Sequence, residues 1–350
     1  MLKSTLKRLF VLLICCSSFF IEAKAERSDK SNSTEVYDPK PMIMHHVLNA
    51  HEWHLFDYKD SDEKAHPVSI PLPIILITEG NLDVFLSSDF KHGQVAVKKG
   101  NRTYTLDEHG HINEANGASI LDVSITKNVA SMLISVLLIL FLLISTANGY
   151  KRNKYAPKKI QAFLEPLILF VRDDIIKANI GPKYERYTSF LLTVFFFILI
   201  NNYMGLLPGA ANVTGSISVT LVLSVFTFII TTISANKNYW KHIFNPPTPL
   251  ILIPIMVPIE IFGVFTKPFA LMVRLFANIT AGHITILSLI SLIFIAQSGA
   301  GNGAAWGVAP LSVLFVLFIY LIELLVAFLQ AYIFTLLSAV FIGLAIKEEH

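Results

Sequence analysis

Long uncharged segments in the second half of the chain limit the folds that are open to it. Val129 to Ala147 is an unbroken apolar run, and no charged residue occurs from Tyr187 to Asn236. A bilayer core of about 30 Å needs about 20 apolar residues in helical form. Because lipid offers no hydrogen bonds to the backbone, an open sheet cannot lie there. The pattern therefore predicts an all-α polytopic membrane domain, assigned to residues 126–350.

Residues 26–125 have a different composition, polar and of mixed charge, and predict a small β-containing domain outside the membrane. Two candidate strands flank a turn at Gly100–Asn101, which is a common hairpin signal. The apolar segment from Val68 to Thr78 contains Pro71 and Pro73. Proline favours an edge or docking strand over a membrane span.

The first 25 residues have the pattern of a secretory signal. Lys3, Lys7 and Arg8 form a basic start, and Leu9–Ile21 is an uncharged core too short to span comfortably. The small residues of Ala23–Ala25 offer a cleavage site. A short uncleaved anchor is the alternative. Both cysteines lie in this segment, so cleavage would leave a mature chain without cysteine.

A histidine cluster in the N-terminal region raises the question of a metal centre. His45, His46, His51 and His54 lie close together around Trp53. Their spacing matches no firm zinc pattern, and no further ligand is evident. Surface histidines on an amphipathic segment are the favoured interpretation, and no metal or cofactor is predicted. No aromatic-basic pattern indicates nucleic acid binding, and no glycine-rich phosphate loop is present.

The membrane domain is predicted to contain five spanning segments. Their approximate ranges are 129–147, 189–207, 213–234, 248–297 and 310–346. An amphipathic stretch at about 158–180 suits an interfacial helix better than a span. Basic residues from Lys151 to Lys159 follow the first span, and Lys237 and Lys241 follow the third. Because such residues favour the cytoplasmic side, we expect the mature N-terminus outside and the C-terminus inside.

The last two segments exceed the thickness of a bilayer. At 1.5 Å per residue, helices over 248–297 and 310–346 would reach roughly 75 Å and roughly 55 Å, against about 30 Å of hydrocarbon. Either 248–297 divides into two spans, which would move the C-terminus outside, or both segments tilt steeply. Since the first has no polar break in its middle, steep tilt is favoured, with the connection in "SGAGNGAAWG".

These two segments contain five charged or titratable side chains. They are Glu260, Lys267, Arg274, His283 and Glu323. Each costs several kcal/mol in lipid, so each is predicted to face protein or water. The alternative is that these charged side chains only pair with one another and hold the helices together. This alternative applies above all to Glu260 and Lys267. Seven residues amount to about 10 Å of helix, too long for a direct ion pair between those two.

Helical spacing sorts these side chains onto faces. Glu260, Lys267 and Arg274 follow one another at intervals of seven and share a face. Small and polar residues continue that face, namely Asn278, Ala281, Thr285 and Ser288. Such a face suits close contact with another helix. His283 is nine positions beyond Arg274 and is predicted on the opposite face.

A second stripe occurs in the last segment, where Glu323, Ala327 and Gln330 share a face. His283 and Glu323 both titrate, so they are candidates for a proton relay. Arginine in practice keeps its charge and cannot reduce its desolvation cost by neutralising. The chain is therefore expected to use the field of Arg274.

"LMVRLFANITAGH", the upstream Glu260 and Lys267, "ELLVAFLQAYIFTLLSAVF" and the C-terminal "EEH" together resemble subunit a of the F-type rotary ATP synthase. The likeness covers about residues 125–350 and suggests a bacterial form with a signal and an extracytoplasmic extension. It implies that Arg274 faces the ring of c subunits. It also implies an outer proton pathway lined by Asn278, His283, Glu323 and Gln330.

The resemblance extends to partners and location. It implies a multi-pass subunit of the inner membrane, in contact with lipid, the c ring, the b stator stalk and the remaining subunits. The two long segments would form a steeply tilted hairpin around the ring. Such a chain is no enzyme on its own and needs no cofactor. Whether H⁺ or Na⁺ is coupled stays open, because the partner ring largely decides it.

One departure from the usual bacterial pattern is informative. That pattern has a glutamate at the position of His283 and a histidine at the position of Glu323, and here the two are exchanged, as in mitochondrial members. We hypothesise that these side chains lie near each other and share one task.

Other membrane classes fit less well. A secondary transporter would usually show an internal repeat with broken helices, and the arginine motif has no second copy. An ion channel would be expected to have a symmetric filter segment, and none is visible in the sequence. A membrane enzyme would need a nucleophile or a metal set, and only the cluster at His45–His54 hints at one.

Overall fold

The computed structural model describes residues 37–347, apart from 41–42, 45–48, 60–64, 92, 94, 108–109, 153–159, 208 and 247. The signal predicted for residues 1–25 lies outside this range, as do His45, His46 and the last three residues.

Strands make up the N-terminal region, as the sequence predicts. They are β1 (Glu52–Lys59), β2 (Ala65–Pro71), β3 (Pro73–Thr78), β4 (Asn81–Leu86), β5 (Val97–Lys99), β6 (Arg102–Leu106), β7 (Ile112–Glu114) and β8 (Ile120–Asp122). In the described residues they form three antiparallel sheets, ordered β1-β2, β4-β3-β8 and β5-β6-β7. The predicted turn at Gly100–Asn101 joins β5 to β6.

The expectation that the proline-containing segment forms an edge strand is wrong for β3. This strand lies between β4 and β8, and its alternating side chains Ile74 and Leu76 are completely buried. Pro73 is its first residue, where the missing N–H costs little. The Pro73 carbonyl still accepts a hydrogen bond from Ile125 N at 3.0 Å. These side chains belong to a small apolar core with Phe85, Phe90, Val97, Tyr104 and Ile112.

Helices form the rest of the described chain. They are α1 (Lys127–Arg152), α2 (Ile160–Leu169), α3 (Ala178–Ile180), α4 (Glu185–Gly205), α5 (Ile217–Ser234), α6 (Lys237–Phe244) and α7 (Ile253–Ile346). A π-helical segment, Phe170–Lys177, joins α2 to α3. The ranges α1, α4 and α5 overlap the first three predicted spans, and α2 to α3 overlap the predicted interfacial helix. Residues 206–216, between α4 and α5, are called the outer loop below.

The helices expose apolar side chains and bury polar ones, the reverse of a soluble protein. On α5 the hydroxyl residues Thr220, Ser224 and Thr227 are buried, whereas Val222 is 52% and Ile233 is 77% exposed. Among the described residues, four helices are long and apolar enough to cross a membrane, namely Lys127–Tyr150, Glu185–Gly205, Ile217–Ser234 and Ile253–Ile346. Lipid is the solvent that tolerates such a surface. The chain is a multi-pass membrane protein.

Helix α7 is interrupted at one residue. Gly301 has φ 80° and ψ −177°, a conformation that is essentially restricted to glycine. The rest of "SGAGNGAAWG" is helical, so the loop predicted there is wrong in extent. One glycine is enough to break the helix. The Ser312 hydroxyl donates to Leu289 O across this break, so the parts before and after Gly301 contact each other.

Helix α4 lies at the centre of the larger core. Its buried residues, which include Leu191 and Phe195, pack with α1, α2 and both parts of α7. From α7 they meet Leu271 and Leu275 before the break and Phe334 after it. This packing fixes the two parts of α7 against one scaffold, which determines the positions of their charged side chains.

Candidate functional site

A histidine and a glutamate meet at the contact between the two parts of α7. His283 Nδ1 lies 3.0 Å from Glu323 Oε1, and His283 Nε2 lies 3.0 Å from the Gly205 carbonyl at the end of α4. The Glu323 side chain is 4% exposed and that of His283 is 21% exposed. The proximity hypothesised from the exchanged order is therefore observed.

The two contacts of His283 restrict where protons can be. A backbone carbonyl only accepts, so Nε2 must carry a hydrogen and donate it to Gly205 O. Nδ1 then either donates to the Glu323 carboxylate or accepts from the protonated carboxyl. Both arrangements hold one shared proton and have the same net charge. The pair is thus a site for a single exchangeable proton.

The surroundings of Glu323 leave one oxygen free to interact. Glu323 Oε2 is buried and has no hydrogen-bond partner in the described chain. A Cβ added at Gly282 would lie 2.3 Å from Glu323 Oε1 and 2.7 Å from Cδ. A side chain there would therefore displace the carboxylate. Ala327 and Gln330, which share the predicted stripe with Glu323, are also buried.

Three backbone carbonyls at or next to the outer loop accept hydrogen bonds from side chains of α7. Gly205 O accepts from His283, Leu206 O accepts from the Tyr320 hydroxyl, and Gly215 O accepts from Thr280 Oγ1 at 3.5 Å. On α4 itself, Asn202 Nδ2 donates to Ala327 O at 3.0 Å, and Asn202 Oδ1 is buried without a partner in the described residues. The site is therefore assembled by α4, the outer loop and α7.

Arg274 lies on a different face of α7. Its side chain is exposed, and so are the residues predicted to continue its face, Asn278, Ala281, Thr285 and Ser288. In the part of the chain that the structure describes, no hydrogen bond or ion pair joins Arg274 to another residue. Asn278 accompanies Arg274 and, among the described residues, makes no hydrogen bond with the pair formed by His283 and Glu323. An unpaired guanidinium thus stands on a surface of small and polar residues.

Glu260 and Lys267 were predicted to share a face with Arg274, and they differ from it in burial. Both are partly buried, whereas Arg274 is exposed. Lys267 Nζ lies 5.7 Å from the centre of the Phe341 ring. Burial and the charge of Glu260 raise the pKa of Tyr239 on α6. Seven residues fall only about 20° short of two full turns, so the shared face of the three residues stays a prediction.

Several residues of this site could not be, or could hardly be, identified from the sequence. Gly205 contributes only a backbone carbonyl, and Gly282 contributes only the lack of a side chain. Asn202 and Tyr320 are polar residues inside apolar runs, and that is the one feature by which they could have been found.

The histidines of the N-terminal region form no metal site among the described residues, where no group of three potential ligands occurs. His51 instead pairs with Asp122, with 2.7 Å between Nε2 and Oδ2. His45 and His46 lie outside the described residues.

Comparison with known proteins agrees with this architecture. A family model described as ATP synthase A chain matches residues 129–343, and one described as a domain of unknown function matches residues 42–131. The chain is 49% identical over 235 residues to an ATP synthase subunit a of Chloroherpeton thalassium, covering 65% of this chain and 68% of the relative. It is 46% identical over 259 residues to that of Pelodictyon phaeoclathratiforme, covering 71% and 74%. It is 43% identical over 269 residues to that of Myxococcus xanthus, covering 75% and 86%.

Proposed function

The chain belongs to the family of subunit a of the F-type ATP synthase, and from this premise we propose that Arg274 controls the ionisation of carboxyl groups on a rotating ring of c subunits. As a member of this family it is a proton-translocating subunit of the membrane sector, part of an enzyme complex and not itself catalytic. The proposal extends to two half-channels in this chain, separated by Arg274.

The observation that carries the proposal is the exposed, unpaired guanidinium of Arg274. A charge in the membrane requires a partner, and the described chain supplies none. The face around it is made of small and polar residues, among them Asn278, Ala281 and Thr285. Such a face allows the close approach of another helix. A buried carboxylate on that helix would complete the pair.

The physical mechanism follows from the cost of charge in lipid. A protonated carboxyl is neutral and can turn through the bilayer with its ring, whereas an ionised one cannot, by several kcal/mol. Next to Arg274 the ionised form is favoured, so the proton is released there. The guanidinium also repels protons, which prevents a direct leak between the half-channels. The membrane potential supplies about 2.3 kcal/mol per proton at 100 mV.

We assign the outer half-channel to the pair of His283 and Glu323. One shared proton can move between them without a change in net charge, and Glu323 Oε2 has no hydrogen-bond partner in the described chain. Gln330 and Asn278 would hydrogen-bond water along this path. Glu260 and Lys267, which precede Arg274 on α7, are assigned a supporting role.

The membrane topology is part of the proposal. We infer five membrane segments, in which the parts of α7 before and after Gly301 are the last two and form a steeply tilted hairpin around the ring. The continuous helix from Ile253 to Gly301 supports tilt over a division into two spans, since it is about 70 Å long at 1.5 Å per residue. The mature N-terminus is outside the inner membrane and the C-terminus is in the cytoplasm. Partners are the c ring, the b stalk and the other subunits.

The test is coupled ATP synthesis by the reconstituted complex. Arg274→Ala should abolish proton-driven synthesis while the complex still assembles, and Arg274→Lys should also fail largely, because lysine can neutralise and lacks the planar fork. Arg186→Ala, which removes an exposed arginine of α4, is the matched control and should retain synthesis. Synthesis at the wild-type rate by the Arg274→Ala complex would refute the proposal. ATP-driven acidification with and without Na⁺ identifies the coupled ion.

A further inference from the structure

We propose that the segment Asn49–Trp53, called the clasp here, positions the outer loop and through it the proton site, with Trp53 as the positioning residue. This inference rests on the proposed role of His283 and Glu323. It assigns to the N-terminal region a function in proton uptake from the outer side. The contacts that carry it run from the start of α1 to the Gly205 carbonyl.

The clasp is fixed to the start of α1 by three hydrogen bonds. Asn128 N donates to Asn49 Oδ1 at 3.1 Å, and Asn49 Nδ2 donates to Thr126 Oγ1 at 3.0 Å. Lys127 N donates to the Ala50 carbonyl at 2.9 Å. The first N–H groups of a helix have no partner within it, so the clasp acts as an external N-cap. The position of the clasp is thus tied to the first membrane helix.

A hydrogen bond ties the clasp to the sheet as well. His51 Nε2 lies 2.7 Å from Asp122 Oδ2 at the end of β8. Burial raises the pKa of Asp122, but hydrogen bonds from His51 and Ser124 outweigh it and lower this pKa to about 2. Asp122 is therefore a carboxylate at any physiological pH. Two residues farther on, Trp53 is held at a defined place above the outer loop.

Trp53 donates its indole Nε1–H to the Gly209 carbonyl at 2.8 Å. Gly209 is four positions beyond Gly205, whose carbonyl accepts from His283. Of the three residues between them, the structure describes 206 and 207, and both are bonded to the end of α4: Leu206 N donates to Asn202 O, and Leu207 N donates to Met204 O. A displacement of Gly209 is therefore transmitted to the Gly205 carbonyl.

The Gly205 carbonyl determines which nitrogen of His283 carries the hydrogen. Without this acceptor the N–H of the protonated ring is less stabilised, so the pair should bind its proton more weakly. The titratable side chains that face the pair are few. In the described part of the chain they are Glu323 itself and Tyr320, which donates to Leu206 O, while α4 presents the neutral amide of Asn202. A shift in proton binding can thus be ascribed to the geometry of the outer loop.

The experiment compares Trp53→Phe with Trp306→Phe in the intact complex, reconstituted into liposomes. Trp306 is 80% exposed and serves as the control for loss of an indole. ATP synthesis is measured while the pH on the extracytoplasmic side varies, with the total driving force held constant by a compensating potassium gradient. For Trp53→Phe we expect the midpoint of this pH profile to move lower by about 0.5 unit. The profile of Trp306→Phe, and the dependence on cytoplasmic pH, should stay as in the wild type.

A purely structural role predicts a different result, namely a lower rate at every pH with an unchanged midpoint, and that result would overturn the inference. If Trp53→Phe prevents assembly, the isosteric Thr126→Val decides the matter, because it removes only the acceptor of Asn49 Nδ2. A smaller shift in the same direction would support the inference, and an unchanged midpoint would refute it. Arg274→Ala separates the two proposals: if it retains synthesis, the proposed function falls whatever Trp53 does.

Discussion

His283 Nδ1 and Glu323 Oε1 are 3.0 Å apart although 40 positions separate the two residues in the chain. They meet because the parts of α7 before and after Gly301 contact each other, and the second nitrogen of His283 is held by a carbonyl of a different helix. An acid and an imidazole in this arrangement share one proton. Neither residue alone could provide the same site. Mutation of this pair is therefore the most direct test.

Exchange of the two residues should preserve the site better than either single change. His283→Glu places two carboxyl groups in contact, and Glu323→His places two imidazoles in contact, so each single variant should lower ATP-driven proton pumping about tenfold or more. The double variant restores one acid and one imidazole and should recover most of the rate. Pumping is followed as acidification of vesicles. Two single variants with wild-type rates would contradict the idea of a shared task.

Gly282→Ala should impair proton transfer without preventing assembly. The added Cβ would lie 2.3 Å from Glu323 Oε1, which is far inside van der Waals contact, so the carboxylate must move away from His283. Pumping should fall severalfold. Gly263→Ala on the same helix is the control, because nothing lies within 4 Å of the Cβ there. Equal rates in the two variants would show that the exact position of the carboxylate does not matter.

Gly343→Ala should destabilise the chain itself. A Cβ at this position would lie 2.2 Å from the backbone oxygen of Asn179, and two helix backbones cannot yield as a flexible side chain can. We expect a loss of about 1–3 kcal/mol, seen as a lower temperature of complex dissociation and less subunit in membranes. Gly307→Ala, with open space around the added Cβ, should behave as the wild type. A Gly343→Ala complex of unchanged thermal stability would argue against this close crossing.

The hydrogen bond between His51 and Asp122 should make the clasp sensitive to acid. Because the folded-state pKa of Asp122 is about 2, below the usual value near 3.9, its contribution is present above about pH 4 and is lost as the pH falls toward 2. Asp122→Asn should therefore increase proteolysis within residues 49–59 of the intact complex at neutral pH. The difference from the wild type should diminish as the pH is lowered below 4. A difference that is independent of pH would exclude the carboxylate as its cause.

The sequence predicts the membrane helices well because their signal is local. Uncharged runs mark α1, α4 and α5 within a few residues, and the hydrophobic effect needs no tertiary information to act on such runs. Helical periodicity also assigns Arg274 and His283 to opposite faces, which agrees with the exposure of the first and the contact of the second.

What the sequence does not predict depends on contacts between distant segments. The extent of the loop at Gly301 was overestimated, because a glycine in a helix costs only about 1 kcal/mol relative to alanine and does not by itself end the helix. Glu260 and Lys267 are partly buried whereas Arg274 is exposed, and helical spacing alone does not predict that difference. The clasp was visible only as a row of histidines around Trp53. Its bonds go to backbone atoms, which no residue type identifies in advance.

The central position of the last helical part has a consequence for biosynthesis. Asn202 of α4 bonds to Ala327, Thr227 of α5 lies 3.4 Å from the Ser338 hydroxyl, and Asn236 binds the carbonyls of Ala345 and Ile346. All of these partners leave the ribosome after the helices that they contact. During translation the earlier helices must therefore stay in the bilayer with polar faces still uncovered. The fold closes only once residues 327–346 have been synthesised.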